Sequence, residues 1–406
     1  MKLAILSDFH LGYERFREDA YMQAREALEE ASKEADVLVM PGDIFDMRNP
    51  KPEVLAEAIN LFRDLSGKAW NAKVTKYEGK GENFTNLPII AIPGTHERRA
   101  YGVEDPVDLL ALAGLLVDIS DGKVFVEKEN ERICIFGLGG IAEERFKEAL
   151  READLRPEEN IFNAFIFHQS VHELLPFSSD FITLDDLPVG FDLYIDGHIH
   201  NKVEMEAHGK PFLIPGSTVL TQLKEGEQEA KGFFIFDTMT KEYTFREIKS
   251  RKFKLVRIDV EGLEPGRIAE RIERNLSSEI KNDDGEKPII RVELSGKLMD
   301  GFKSIDIDVQ SAIKEFKEKA IIEIGKGKVE SEQHNAEVES LRRGTLENIS
   351  IKDFGLSIFI EKLVEKKCDL RTNPRELFDL LSEEGSKEKT VKKALDLLLY
   401  QSEGSA

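Results

Sequence analysis

The chain has 406 residues, of which 41% are hydrophobic and 33% charged, and its formal net charge is -21. That length exceeds a single core and calls for about two or three domains, while the composition describes a soluble globular protein in which no stretch approaches a membrane span. The excess of acid argues against a general nucleic-acid coat protein, because phosphate contacts need positive charge, yet it leaves room for a nucleic-acid enzyme with a local basic rim and bound cations.

Leu3–Leu6 reads as a buried strand that ends in Ser7-Asp8-Phe9-His10. A strand beginning so early and carrying candidate ligands is not a signal peptide. A helix follows from about Ala20 to Ala35, with Ala24, Ala27, Leu28 and Ala31 as its apolar stripe. Asp36–Met40 is a second strand running into Pro41-Gly42-Asp43-Ile44-Phe45-Asp46, which completes a βαβ unit with acids at its strand tips. Pro52–Leu65 is a second helix, its proline suited to the first turn. From Ser66 to Asn86 the glycines and asparagines mark a loop or surface hairpin; its lysines, interleaved with Trp70 and Tyr77, are also of a kind that touches nucleic acid.

Leu87–Ile92 is a third strand and delivers Pro93-Gly94-Thr95-His96-Glu97. A helix at Asp105–Leu115, strands at Val124–Val126 and Ile133–Leu138, and a helix at Glu143–Asp154 come next. Ile161–Phe167 is an apolar strand ending in His168-Gln169, and Phe191–Asp196 ends in Gly197-His198-Ile199-His200. Pro211–Ile214 ends in Pro215-Gly216-Ser217, before an antiparallel pair at Gly232–Phe236 and Glu242–Ile248. Beyond Arg251 the pattern becomes a small α+β unit. It has strands at Leu255–Val260, Ile289–Leu294 and Ile321–Glu323, and helices at Arg267–Ile280 and Ile305–Lys317. Gly325–Glu337 reads as a linker, followed by a helix at Phe354–Lys366 and a helix pair after Asn373-Pro374. Paired amphipathic helices either dock a partner or fold back on their own domain. Cys134 and Cys368 lie far apart and give no disulfide framework, which fits a reducing cytosol.

In an open α/β sheet, ligands sit beyond the carboxyl ends of the strands. Of eight histidines, His10, His96, His168, His198 and His200 stand at such ends, with Asp8 and Asp43 beside them. Oxygen and nitrogen ligands at strand tips suit ions such as manganese, iron or zinc, so the pattern points to a dinuclear metal site. His172, His208 and His334 read as surface or supporting residues.

The order D-x-H, G-D, G-x-H-E, H-Q, G-H-x-H resembles the calcineurin-like metallophosphoesterase superfamily over roughly residues 1 to 250. Within it, Ser7-Asp8-Phe9-His10-Leu11-Gly12, Gly42-Asp43-Ile44-Phe45-Asp46 and Pro215-Gly216-Ser217 look like the archaeal and eukaryotic meiotic-recombination-11 and bacterial SbcD nucleases of double-strand-break repair. The resemblance implies an α/β metallophosphoesterase β-sandwich flanked by helices (1–250), a small α+β capping domain (251–325), and a linker and helical tail (326–406) that grips an SMC-like ABC ATPase. It implies two Mn2+ ions per subunit. Asp8, His10 and His200 would hold the first, His168 and His198 the second, and Asp43 would bridge both. Paired ions roughly 3.5 to 4 Å apart activate water and clamp a phosphodiester. His96 would donate the leaving-group proton, with Glu97 orienting it. Thr95 stands where the family has a metal-ligating Asn, so the second site is expected to bind more weakly. Arg98, Arg99 and Lys202 flank the site as nucleic-acid candidates or as plain surface charges.

The implied protein is a cytoplasmic, nucleoid-associated homodimer that is a DNA exonuclease and endonuclease on single- and double-stranded ends. Its helices near 52–65 and 105–115 would form the dimer surface. A phosphodiesterase acting on small molecules or RNA, and a weakly catalytic scaffold that binds DNA ends, are the competing readings.

Overall fold

Side chains alternate faces along each strand, and in this chain both faces are apolar. A computed structural model describes residues 1–330, apart from 79–80, 100–102, 154, 177–180 and 281–286. The elements in chain order are β1 (Lys2–Ile5), α1 (Arg17–Glu34), β2 (Val37–Met40), α2 (Pro52–Ser66), β3 (Lys73–Glu78) and β4 (Gly81–Thr85). Then come β5 (Ile89–Ala91), α3 (Pro106–Leu112), β6 (Val117–Asp118), β7 (Asp121–Lys128), β8 (Glu131–Leu138) and α4 (Glu143–Glu152). β9 (Phe162–Phe167), β10 (Leu193–Asp196), β11 (Val203–Ala207), β12 (Lys210–Ile214), β13 (Gly232–Asp237) and β14 (Tyr243–Glu247) follow. β15 (Phe253–Asp259), α5 (Pro265–Glu279), β16 (Ile289–Lys297), α6 (Val309–Ile313) and β17 (Ile321–Glu330) complete the described chain.

One sheet runs β14-β13-β1-β2-β5-β6 and a second β11-β12-β10-β9-β8-β7-β3-β4. Leu3, Ile5, Val37 and Val39 from the first pack against Ile133, Ile135, Ala164 and Ile166 from the second, forming the inner layer. The alternate residues Ala4, Leu38 and Met40 turn outward, onto Ala24 and Leu28 of α1, Phe62 of α2 and Leu110 of α3. Cys134, Phe136, Phe165 and Phe167 turn outward from the other sheet, onto Phe146 of α4. This is the α/β sandwich with flanking helices that the sequence implies.

Its parallel strands decide where the chemistry goes. β1, β2 and β5 are mutually parallel, as are β9, β10 and β12. Each set therefore releases its loops at one end. Beyond the strands the loops zip together: Leu6 N donates to Val39 O (3.0 Å), Asp8 N to Gly42 O (3.2 Å) and His10 N to Asp43 O (3.1 Å). A parallel bridge between Ser7 and Ser217 links the loop after β1 to the one after β12.

The chain divides into two compact units, Met1–Val256 with Leu276–Val292 and Glu315–Glu323, and Arg257–Asn275 with Glu293–Lys314 and residues from Ile324 on. The Ser66–Asn86 stretch is a hairpin, with β3 paired to both β4 and β7. Trp70 is no stacking platform, since its Nε1 donates to Leu65 O (3.1 Å) and its ring packs on the helix-side core. β11, which the sequence reading did not mark, pairs antiparallel with β12. The helix expected at Ile305–Lys317 contracts to α6, which starts only where the Asp308 side chain accepts from Ser311 N (3.1 Å). β17 runs through 325–330, where Gly325 and Gly327 suggest linker, because it pairs with β16, and just past that strand Leu298 N donates to Glu330 O (3.0 Å). The helices expected after Phe354 and the rest of the tail lie outside the described residues.

Candidate dinuclear metal centre

The backbone itself marks the site. Asp8 (φ 54°), His10 (φ 48°), Asp43 (φ 51°) and His198 (φ 69°) are all left-handed. That conformation costs an L-residue roughly 1–2 kcal/mol, and such strain persists only where the surroundings impose it. Gly94 shows how tight the surroundings are: a Cβ there would lie 2.3 Å from Asp43 Oδ1 and 2.6 Å from Asp43 N. Glu97, wholly buried, binds the two loops, with Oε2 accepting from Asp43 N (3.1 Å) and Gly94 N (2.8 Å) and Oε1 from Phe45 N (2.8 Å). Glu97 therefore does not orient His96, contrary to expectation. Its oxygens are spent on backbone donors, and His96 Nδ1 faces Asp46 O at 2.8 Å.

Three groups of ligand-type side chains converge. In the first, Asp8 Oδ1 lies 3.8 Å from His10 Nε2 and 3.7 Å from His200 Nε2, and the two Nε2 atoms are 3.1 Å apart. In the second, His168 Nε2 lies 3.2 Å from Asp43 Oδ2, and His198 completes the group. Thr95 Oγ1 stands among these atoms, 3.4 Å from Asp43 Oδ2, 3.4 Å from His168 Nε2 and 3.3 Å from His198 Nδ1. Asp43 Oδ1 accepts from His96 N (2.9 Å), which leaves Oδ2 as the oxygen that faces His168. The third group joins His10, Asp46 and His96, with Asp46 Oδ1 3.2 Å from His10 Nδ1 and 3.7 Å from His96 Nδ1.

The first two groups fit cations by their unsatisfied atoms. Asp8 is fully buried, and among the described residues neither carboxylate oxygen has a hydrogen-bond partner. An unpaired buried carboxylate is costly unless a cation meets it. The outer nitrogen of each imidazole faces an oxygen: His10 Nδ1 an Asp46 carboxylate oxygen, His168 Nδ1 the Pro41 carbonyl (2.6 Å), His198 Nε2 Glu143 Oε1 (3.4 Å) and His200 Nδ1 Thr221 Oγ1 (2.5 Å). A carbonyl only accepts, so His168 carries a proton on Nδ1 and turns Nε2 inward, where a cation would take the place of the second ring proton. Burial, helped by His10 and Lys231 nearby, pushes His200 down to about 2 and keeps it a neutral donor. Burial also opposes charge on His168, but the Asp43 carboxylate overrides it and lifts that imidazole to about 10. Burial, with the Asp43 carboxylate nearby, raises Asp8 from its ordinary value.

The calcineurin-like phosphoesterase family pattern matches residues 1–202, which hold all three groups; the supporting Thr221 lies beyond them. The chain carries a calcineurin-like phosphoesterase domain. Domains of this family work with paired metal ions, and the first two groups are candidate ligand sets for such a pair. The double-strand break repair protein MRE11 of Encephalitozoon cuniculi is 28% identical over 303 residues, 68% of this chain and 52% of that protein. The DNA double-strand break repair protein Mre11 of Methanopyrus kandleri is 31% identical over 288 residues, 64% of this chain and 60% of that protein. Mre11 of Saccharolobus solfataricus is 26% identical over 314 residues, 72% of this chain and 75% of that protein. The chain thus spans about half to three-fifths of the length of the first two relatives.

The phosphoesterase domain brings together Asp8, His10, Asp43, Thr95, His168, His198 and His200, with His96 at the solvent edge, 43% exposed and its ring 4.8 Å from that of His10. Arg98, Arg99 and Lys202 belong to none of the three groups. Arg99 donates to Arg48 O (2.7 Å), and Lys202 lies 3.2 Å from Glu204 Oε1 and over the Phe245 ring. His208 is exposed, with Nε2 2.9 Å from Leu187 O, and belongs to none of the three groups. Sequence reasoning missed Asp46, Glu143 and Thr221. Asp46 had a signal, its place three residues after Asp43. Glu143 at the start of α4 and Thr221 in a loop had none.

Proposed function

We propose that this chain is a manganese-dependent nuclease that processes DNA double-strand-break ends, as an exonuclease and an endonuclease, with an SMC-like ABC ATPase as partner. What carries the reading is the pairing of Asp8–His10–His200 with Asp43–His168–His198 at adjacent strand ends of a phosphoesterase domain. The repair names of the relatives point the same way. Asp8, His10 and His200 would hold one ion, and His168, His198 and Thr95 the other, with Asp43 between them as a shared ligand. Bound ions supply Lewis acidity and an activated water for in-line attack on phosphorus. The leaving oxygen departs with its bond electrons and takes a proton from His96. Because His96 Nδ1 faces the Asp46 carbonyl, Nε2 is the nitrogen that donates. Arg98, Arg99 and Lys202 are phosphate contacts at the rim.

Residues 1–250 are the nuclease domain and 251–325 the cap in this reading, with β17 carrying the cap on to Glu330 and the docking tail assigned to the chain beyond it. Two copies of the chain pair through α2 and α3, which carry the exposed apolar side chains Ile59, Leu109 and Leu112. Among the described residues no helix is long and apolar enough to cross a membrane.

The test is cleavage of single- and double-stranded DNA with manganese, run beside bis-p-nitrophenyl phosphate. DNA cleavage by the wild type is expected, and His96→Ser abolishes it while metal and DNA binding persist. Hydrolysis of the small ester with no DNA cleavage overturns the substrate, and cleavage that survives His96→Ser overturns the acid.

A further inference from the structure

His200 is held from behind by a buried polar unit. Its Nδ1 lies 2.5 Å from Thr221 Oγ1, and that hydroxyl lies 3.0 Å from Glu227 Oε1. Glu227 is only 3% exposed and accepts from Thr221 N (2.9 Å), Gln222 N (2.7 Å), Leu223 N (2.6 Å) and the Thr221 hydroxyl. Lys231, 5% exposed, closes the unit, with Nζ 2.9 Å from Ser217 Oγ, 3.1 Å from His200 O and 3.5 Å from Glu227 Oε1.

The proton count is decisive. An ionised carboxylate only accepts, and a buried lysine beside it keeps Glu227 ionised. A hydroxyl has one proton, and Glu227 takes it. Thr221 Oγ1 then has only lone pairs to offer His200, so the imidazole proton sits on Nδ1. The Nε2 lone pair is left facing His10 Nε2 at 3.1 Å and Asp8 Oδ1 at 3.7 Å. Were the Thr221 proton free, the ring could hold its own proton on Nε2, aimed at the cation position.

We propose that Thr221, locked by Glu227, is a positioning residue that fixes the tautomer and ring plane of His200 and so sets the affinity of the Asp8–His10–His200 ion site. The proposal rests on the metal-centre reading and goes beyond it, because it assigns control of one site to a residue outside every ligand group. Glu227 and Lys231 anchor the loop that carries Thr221.

The experiment uses the full chain, stripped with chelator and titrated calorimetrically with Mn2+. His200→Ala identifies which binding step belongs to the Asp8 site. Thr221→Val keeps the shape and removes the hydroxyl. It is expected to weaken that same step about 10- to 100-fold, the usual effect of losing a ligand's supporting partner, and to leave the other step unchanged. Thr221→Ser restores it to within about threefold. Ring 15N shifts of the metal-free protein give an independent readout: His200 is protonated at Nδ1 in the wild type and in Thr221→Ser, and loses that single tautomer in Thr221→Val. An unchanged Mn2+ step in Thr221→Val overturns the proposal, as does equal weakening of both steps that Thr221→Ser fails to rescue. A wild type that binds no Mn2+ overturns the metal centre itself, and the 15N readout shows separately whether Thr221 sets the tautomer.

Discussion

Thr95 offers a single hydroxyl to three ligand atoms that stand 3.3–3.4 Å from it. A neutral hydroxyl is a poorer and shorter ligand than an amide oxygen, and this difference predicts unequal sites. Wild type should bind Mn2+ in two resolved calorimetric steps, the weaker at Asp43–His168–His198, and Thr95→Asn should tighten that step about tenfold. Two equal steps in the wild type would contradict the argument. The ligands themselves were legible because an acid or an imidazole ending an apolar strand has no packing role to explain it. Their supports were not. Asp46, Glu143 and Thr221 reach His10, His198 and His200 across 36, 55 and 21 residues of chain, and only tertiary folding chooses such partners. Glu97 shows the opposite failure. Beside His96 in sequence, it was expected to orient it, yet its oxygens turn inward to three backbone donors.

Strands were readable where apolar runs were unbroken, as in β1, β2, β5, β9 and β10. β11 escaped because its Glu204 and Glu206 interrupt the apolar signal, while its backbone partner β12 defines it. α3 was legible from its start, Asp105-Pro106, and the structure supplies the reason: Asp105 Oδ1 accepts from Val107 N (2.8 Å) and Asp108 N (2.9 Å). That cap has a pH signature. Burial, with Asp108 and Asp118 nearby, raises Asp105 to about 6 despite those donors. The native state thus holds this proton more tightly than the unfolded chain, whose aspartates titrate near ~3.9. The stability linked to this group is complete below about pH 4 and is lost as pH rises through about 6. Asp105→Asn keeps a capping oxygen and removes the charge. Its melting temperature should match wild type at pH 4 and exceed it at pH 7, by a stabilisation of about 1–3 kcal/mol. A wild type that gains on the variant between pH 4 and pH 6 would reverse the sign and refute the assignment.

At the scale of the whole chain the core and the centre are nearly independent. Three apolar layers hold the sandwich, and the ligands sit beyond the strand ends rather than within those layers. Chelator treatment should therefore leave the far-ultraviolet circular dichroism unchanged. It should lower the melting temperature, because Asp8 and its buried neighbours then stand uncompensated. Mn2+ at 100 times its dissociation constant adds about 2.7 kcal/mol per site, or roughly 5–10 °C for a domain of this size. Collapse of the dichroism on chelation would show instead that metal organises the fold. The four left-handed residues carry a last implication. Asp8, His10, Asp43 and His198 sit in loops joined by backbone hydrogen bonds such as Asp8 N to Gly42 O and His10 N to Asp43 O. Because these bonds run from backbone to backbone, swapping one divalent cation for another should need no refolding, and far-ultraviolet circular dichroism recorded with each ion should coincide.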